Sequence, residues 1–122
     1  IQYYIDVHNG DWFEDLTPFI YSVGNAAPET VAKAEAMARE ADVPFYVKSG
    51  LADGGAYNYA GYLGIPSVLI ERGCKGMWSE EEAEASRKDV RNILRSLDGI
   101  RADHAERVQK VYAGIHAPHP LY

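Results

Sequence analysis

Residues 65–73, with the sequence IPSVLIERG, constrain the fold more than any other stretch of this chain. A proline opens the stretch, a run suited to a buried strand follows, and Gly73 closes it. A short apolar run between turn residues predicts an interior strand of a sheet. Glu71 then lies at the carboxyl end of that strand, where open α/β sheets bind ligands. Partial burial there raises the pKa of a carboxyl group, which suits a general base. The alternative interpretation is that Glu71 is an edge glutamate paired with Arg72 or a lysine.

Strand and helix patterns alternate along the rest of the chain. Pro28 opens the first helix, and Ser79 with Glu82 forms a capping box at the last one, which residues 98–99 end. Strands are predicted over residues 1–8, 17–23 and 44–48, and helices over 28–41, 56–63 and 79–97. This order predicts an α/β fold in which at least part of the sheet is parallel.

Side-chain patterns predict how these elements pack. The first helix carries an apolar face at helical spacing, formed by Val31, Ala34, Met37, Ala38 and Ala41. Glu35 and Arg39 are expected to pair on its outside, and the charges of the last helix are expected to form a solvated face. In the loop after the first strand, Trp12 and Phe13 are expected to pack beneath the loop; the alternative is that they line a pocket.

Composition excludes several classes of function. The net charge of −6 and the lack of a basic stripe argue against nucleic acid as a partner. No apolar run approaches the ~18 residues of a membrane span, and no signal peptide is visible. The single cysteine, Cys74, fits a reducing compartment, so a cytoplasmic location is expected. A length of 122 residues predicts a single domain or a piece of one, and the abrupt start inside a strand-like run favours a fragment.

A histidine ends the first predicted strand. The segment DVHNG carries His8 to the strand's end, where it is a candidate metal ligand with Asp6 or a backbone carbonyl on its other ring nitrogen. The alternative is a histidine that is simply hydrogen-bonded in the turn. His116 and His119 form a weaker candidate metal pair, because the neighbouring prolines predict an extended tail rather than a helix face.

His8 and Glu71 are 71 − 8 = 63 residues apart, yet both end predicted strands. They share one cleft if those strands are neighbours in the sheet. One histidine and one carboxylate do not complete a catalytic zinc site, which normally takes three protein ligands, and the chain lacks an HExxH motif. Cys74 lacks a convincing histidine partner for nucleophilic catalysis. The residues alone therefore predict an incomplete hydrolytic metal site.

Two segments carry a resemblance to a known family. Residues 5–10 (IDVHNG) and 60–73 (AGYLGIPSVLIERG) resemble the second half of the catalytic domain of the succinylglutamate desuccinylase/aspartoacylase family, zinc-dependent deacylases related to the M14 zinc carboxypeptidases. The resemblance covers roughly residues 1–98. It implies a three-layer α/β/α fold with a mixed sheet, Zn²⁺ as cofactor, His8 as one zinc ligand and Glu71 as the catalytic base. It also implies that Asn9 lies near the substrate.

The same resemblance implies an enzyme that cleaves an amide bond of a small N-acyl amino acid. The family's other two zinc ligands, in an H-x-x-E motif, and its substrate-binding arginines come before the first strand and are absent here. The chain alone is therefore expected to be inactive, with cut sheet edges that leave dimerisation open. Residues 101–122 are expected to form a poorly defined helical tail. The alternative functions are a non-catalytic α/β ligand-binding or scaffold domain and a flavodoxin-like domain, although no phosphate-loop pattern supports the second.

Overall fold

A computed structural model describes residues 1–50 and 55–97 of the chain. The strands are β1 (Tyr4–Asn9), β2 (Phe19–Val23), β3 (Phe45–Ser49) and β4 (Ser67–Arg72). The helices are α1 (Pro28–Ala38), α2 (Ala56–Tyr62) and α3 (Glu80–Ser96). The expected helix stop at residues 98–99, the tail and its two histidines lie outside the described residues. Within the described part, no helix is long and apolar enough to cross a membrane.

The four strands form one mixed sheet in the order β1-β4-β2-β3. β1 runs parallel to β4, β2 runs parallel to β3, and β4 runs antiparallel to β2. β4 lies inside the sheet, and its residues from Ser67 to Ile70 are buried, as expected of a nearly continuous apolar run. The predicted α/β fold with a partly parallel sheet is confirmed.

Alternating residues of β4 pack against helices on opposite faces of the sheet. Val68 and Ile70 belong to a core cluster with residues of α1 and α3, among them Met37 and Ile93. Leu69, which points to the other face, packs in a second cluster with Tyr57 of α2. Because one strand serves both clusters, the sheet lies between two helical layers, which is the expected three-layer arrangement.

Two expectations about α1 are wrong. The helix ends at Ala38 rather than near Ala41, because the amides of Glu40 and Ala41 donate to carbonyls three residues back and tighten the chain into a final 3₁₀ turn. Glu35 does not pair with Arg39. Instead, Lys48 Nζ of β3 lies 2.6 Å from its carboxylate, because α1 packs over the face of the sheet to which Lys48 points.

The N-terminal cap of α3 is confirmed, since Ser79 Oγ accepts a hydrogen bond of 3.2 Å from the Glu82 amide. The expectation that the charges of α3 are all solvated is wrong at Asp89, which is fully buried. Asp89 accepts hydrogen bonds of 2.7 Å from Arg72 Nε and from the Asp42 amide. A buried carboxylate needs such partners, and Arg72 at the end of β4 supplies the compensating charge.

Close packing of α2 on β2 yields a prediction about stability. A Cβ added at Gly61 would overlap the side chain of Val23, which is itself buried. We expect Gly61→Ala to lower the free energy of unfolding by about 1–3 kcal/mol, since the helix must move away from the sheet. Urea unfolding measures the change. Gly50→Ala is the matched control, because a Cβ there meets nothing within 4 Å. Equal stability of both variants would contradict the prediction.

Candidate active site at the carboxyl ends of two neighbouring strands

His8 and Glu71 meet at one end of the sheet. They are Cα partners in the parallel β1–β4 pair, so both side chains project from the same face, the one that carries α2. His8 Nδ1 lies 3.6 Å from Glu71 Oε1. The Glu71 side chain is 16% exposed and that of His8 is 51% exposed. The strand order therefore brings the two candidate residues into one site, as expected if their strands are neighbours.

Asp6 occupies the second nitrogen of the His8 ring. The two residues are two apart on β1 and share a face, and His8 Nε2 lies 3.3 Å from Asp6 Oδ1. Tyr4, two residues earlier on the same face, hydrogen-bonds to Asp6, and burial together with this carboxylate raises the pKa of its hydroxyl. The imidazole of His8 is thus held between two carboxylates, one on each ring nitrogen.

The carboxyl group of Glu71 has a raised pKa, as predicted for a general base. Burial is the largest cause, and the negative charges of Glu14 and Asp6 add to it, whereas His8 acts in the opposite direction. Arg72 does not neutralise Glu71, because it points to the opposite face of the sheet and bonds to Asp89. The alternative of an edge glutamate paired with Arg72 is therefore wrong.

Asn9 points away from Glu71. It pairs with Arg72 in the sheet register, one residue beyond His8, so its side chain lies on the α3 side. Its Nδ2 donates a hydrogen bond of 3.0 Å to the Met77 carbonyl, and its Oδ1 lies where a side chain at Gly73 would be. Gly73 has a φ of +78°, a conformation that glycine adopts readily. Asn9 thus holds the loop after β4 against β1, and its expected contact with substrate stays a prediction.

A cleft of about 270 Å³ opens on the α3 side of the same strand ends. Its lining includes His8 and Asn9 from β1, Arg72 from β4 and Trp78 before α3. Glu71 does not line this cleft, because it projects from the other face. The end of the sheet therefore offers two separate surfaces, with His8 at the boundary between them.

The loops after β1 and β4 are joined beside the site. The Lys75 amide donates to the Glu14 carbonyl and the Gly76 amide donates to the Gly10 carbonyl, each at 2.7 Å, and Cys74 forms a β-bridge with Asp15.

The expectation that Trp12 and Phe13 pack beneath their loop is wrong, since both are exposed and contact each other edge to face. The hydrogen bonds between the loops use backbone groups, so the aromatic rings are left on the surface.

Three solved structures share this arrangement of strands and helices. The ectoine utilization protein EutE (DoeB) from Ruegeria pomeroyi, solved with product bound, superposes with a TM-score of 0.65 at 25% sequence identity. A succinylglutamate desuccinylase from Silicibacter sp. TM1040 has a TM-score of 0.68 at 21% identity. A succinylglutamate desuccinylase/aspartoacylase from Rhodobacter sphaeroides has a TM-score of 0.66 at 22% identity. The chain has the fold of the succinylglutamate desuccinylase/aspartoacylase family.

The resemblance that the two sequence motifs predict is thereby confirmed. The matches cover 74%, 77% and 77% of this chain, but only 28%, 29% and 27% of the three proteins in the same order. The chain thus spans less than a third of the length of each protein with which it shares the desuccinylase/aspartoacylase fold. No family model matches the sequence, and no curated protein matches it significantly.

The candidate site fits a metal ion in part. His8 is a suitable nitrogen ligand, because the carboxylate of Asp6 orients its ring from the opposite nitrogen. Among residues 1–50 and 55–97, however, no group of three or more His, Cys, Asp or Glu side chains is arranged to hold a metal ion. The described residues therefore offer one candidate nitrogen ligand, His8, beside the Glu71 carboxylate, and a metal ion would need further ligands.

Two residues that act on this site, Tyr4 and Glu14, are not predicted from the sequence. Tyr4 supports Asp6, and the alternation of Tyr4, Asp6 and His8 along β1 could have indicated their common face. Glu14 affects the Glu71 carboxyl group from the loop after β1. No local pattern in the sequence marks Glu14, since its position depends on the hydrogen bonds between the two loops.

The raised pKa of Glu71 predicts a pH-dependent effect on stability in the metal-free protein. Below the unfolded-state pKa, the Glu71 carboxyl group is protonated in both states, so its burial does not lower the free energy of unfolding. As the pH rises through the folded-state pKa, folding must bury a charged carboxylate, and the free energy of unfolding falls. We expect Glu71→Gln to have a higher Tm than the wild type at pH 7 and an equal Tm at pH 3. Thermal unfolding with a chelator present measures both values. A variant that is less stable at pH 7 would contradict the prediction.

Proposed function

We propose that the complete protein is a metal-dependent deacylase that hydrolyses the amide bond of a small N-acyl amino acid. Glu71 is the general base and His8 is one ligand of a zinc ion. The observation that carries this proposal is the 3.6 Å approach of His8 Nδ1 to a partly buried Glu71 carboxylate. The proposal is supported by the desuccinylase/aspartoacylase fold of this chain. In this chain, His8 and Glu71 lie at the carboxyl ends of adjacent strands.

Glu71 is suited to move a proton. Its raised pKa brings the carboxylate closer to the operating pH, so that it takes a proton from the attacking water and then releases it to the leaving amine. Its Oε1 lies next to the ring of His8, so a water bound there lies within reach of the carboxylate. The low exposure of the group limits competing solvent, which strengthens this interaction with the reacting water.

His8 is suited to hold the metal through Nδ1. With the proton on Nε2 facing Asp6, the lone pair of Nδ1 is directed toward the Glu71 side of the site. Zinc, when bound, polarises the amide carbonyl and lowers the pKa of water. Its remaining ligands come from residues other than those described, because these contain no complete set.

Metal analysis of the complete protein tests this function. We expect the complete protein to contain a zinc ion, and dialysis against a strong chelator to remove both the zinc and the deacylase activity. We expect His8→Ala to lower zinc affinity by tenfold or more, of the order seen when metal-site partners are removed. His104→Ala serves as the matched histidine control and is expected to retain zinc. Hydrolysis is measured on a panel of N-acyl amino acids.

Unchanged zinc content in His8→Ala would contradict the assignment of His8. Zinc-free protein that hydrolyses no N-acyl amino acid, even after zinc is added, would instead favour a non-catalytic binding or scaffold domain.

A further inference from the structure

A single row of side chains crosses the sheet at the level of Glu71. In the register, His8 of β1 pairs with Glu71 of β4, Glu71 pairs with Phe19 of β2, and Phe19 pairs with Phe45 of β3. Paired residues project from the same face, so all four side chains lie on the α2 side of the sheet. The candidate base is thus followed directly by two phenylalanines.

These rings form part of an apolar surface, the apolar shelf, which consists of Phe19, Phe45 and Val47 and which the described helices leave exposed. Phe45 is 57% exposed and Val47 is 40% exposed, although both are strand residues. α2 packs on Leu69 and Val23 and leaves the shelf open. Phe19 is held edge to face against Tyr21, with ring centroids 5.0 Å apart. The shelf is continuous with the candidate active site, because Phe19 is the neighbour of Glu71 in the sheet.

The charges around the shelf disfavour an acidic group. On this face, the described residues of β2 and β3 include no charged side chain; Lys48 points to the other face, where it pairs with Glu35. Glu14 and Asp6 make the surroundings of Glu71 negative. Among the described residues of β2 and β3 on this face, a carboxylate that extended from the reacting amide would meet no cation, whereas a hydrocarbon group would be partly removed from water.

We infer that the apolar shelf binds a hydrocarbon group of the substrate, so that the preferred substrates are N-acyl amino acids that carry a medium-length alkyl chain or an aryl group. This inference rests on the proposed function. Neighbouring strands are about 4.8 Å apart, so a group must extend about 10 Å from Glu71 to cover both phenylalanine rings. The group belongs either to the acyl side or to the amino acid side of the amide, and the shelf has the same chemistry for both.

Two substrate series measured on the complete enzyme test the inference. The first varies the acyl group on alanine from acetyl through butanoyl and hexanoyl to octanoyl, with succinyl as the acidic comparison. The second keeps the acetyl group and varies the amino acid from alanine to norleucine and phenylalanine. We expect kcat/KM to rise by about threefold for each added methylene in one series, since one side of the chain stays in water. The series that responds identifies the side of the amide that lies on the shelf.

Variants of the apolar shelf test whether the dependence of kcat/KM on hydrocarbon size arises at this surface. Phe45→Ala should flatten the dependence of kcat/KM on hydrocarbon size in the series that responds. Where the acyl series responds, Phe45→Arg should raise the relative kcat/KM for the succinyl substrate. Tyr62→Ala is the matched control, because it also removes an exposed aromatic ring, but from α2. Phe45 is mostly exposed on an edge strand, so these variants are expected to fold.

A kcat/KM that rises with the size of the hydrocarbon group in neither series would overturn the inference and leave the proposed function intact. A length dependence that persists in Phe45→Ala would also overturn it, since the group would then bind elsewhere. Hydrolysis of no substrate would contradict the proposed function, and the shelf is then tested by calorimetric titration with N-octanoylalanine. Binding that Phe45→Ala weakens and Tyr62→Ala does not would support the shelf; no binding would overturn it.

Discussion

Replacing Glu71 with glutamine in the complete protein is expected to lower kcat by about 10²–10⁴-fold while zinc stays bound. Glutamine keeps the shape of the side chain and its place beside His8, but it cannot accept the proton of the attacking water. Loss of a general base affects the transition state rather than the ground state, so KM should change much less than kcat. Steady-state kinetics and elemental analysis of the same preparation measure both quantities.

Glu14→Gln is the matched control for this variant. Glu14 influences Glu71 only through its charge, and its side chain accepts a hydrogen bond of 2.9 Å from the Asp11 amide, which glutamine can also accept. We expect Glu14→Gln to keep near-normal kcat. Near-normal kcat in Glu71→Gln would remove Glu71 from the mechanism. A loss of zinc in Glu71→Gln would indicate that Glu71 holds the metal instead of acting as the base.

The largest effect on stability is expected at Asp89. Asp89→Ala removes the nearest counter-charge of the Arg72 guanidinium, whose side chain is only 10% exposed and whose other acidic partner, Glu82, lies at 3.9 Å. It also removes the acceptor of the Asp42 amide. Breaking a buried ion pair on one side costs about 3–5 kcal/mol. Urea unfolding of the metal-free protein should show this loss. Because Arg72 directly follows Glu71, the same variant should also loosen the end of β4 and lower activity.

Two further variants separate the ion pair from other causes. The double variant Arg72→Met with Asp89→Leu removes both charges, so we expect it to recover most of the lost stability. Lys88→Ala breaks the exposed pair of Lys88 with Asp42 and should change the free energy of unfolding only slightly, because solvent screens exposed charges. If Asp89→Ala is no more destabilising than Lys88→Ala, Arg72 does not depend on Asp89.

The elements that were predicted well have local causes. The run of apolar residues in β4 and the capping box of α3 depend on neighbours in the chain, and both are found at the expected residues. The end of α1 was missed because a final 3₁₀ turn has no distinct sequence pattern. Trp12 and Phe13 were misjudged because apolar residues usually pack, whereas here backbone hydrogen bonds between two loops leave them exposed.

The sequence by itself determined the α/β class, the candidate pair His8 and Glu71, and the resemblance to the desuccinylase/aspartoacylase family, because strand periodicity and motif residues are local properties. Only the tertiary structure decided that β1 and β4 are neighbours, that Arg72 pairs with Asp89 rather than Glu71, and that Asn9 turns away from Glu71. The structure also placed Phe19 and Phe45 in the same row as Glu71. Strand order and register depend on contacts between distant segments, and a shift of one residue would move each of these side chains to the other face of the sheet.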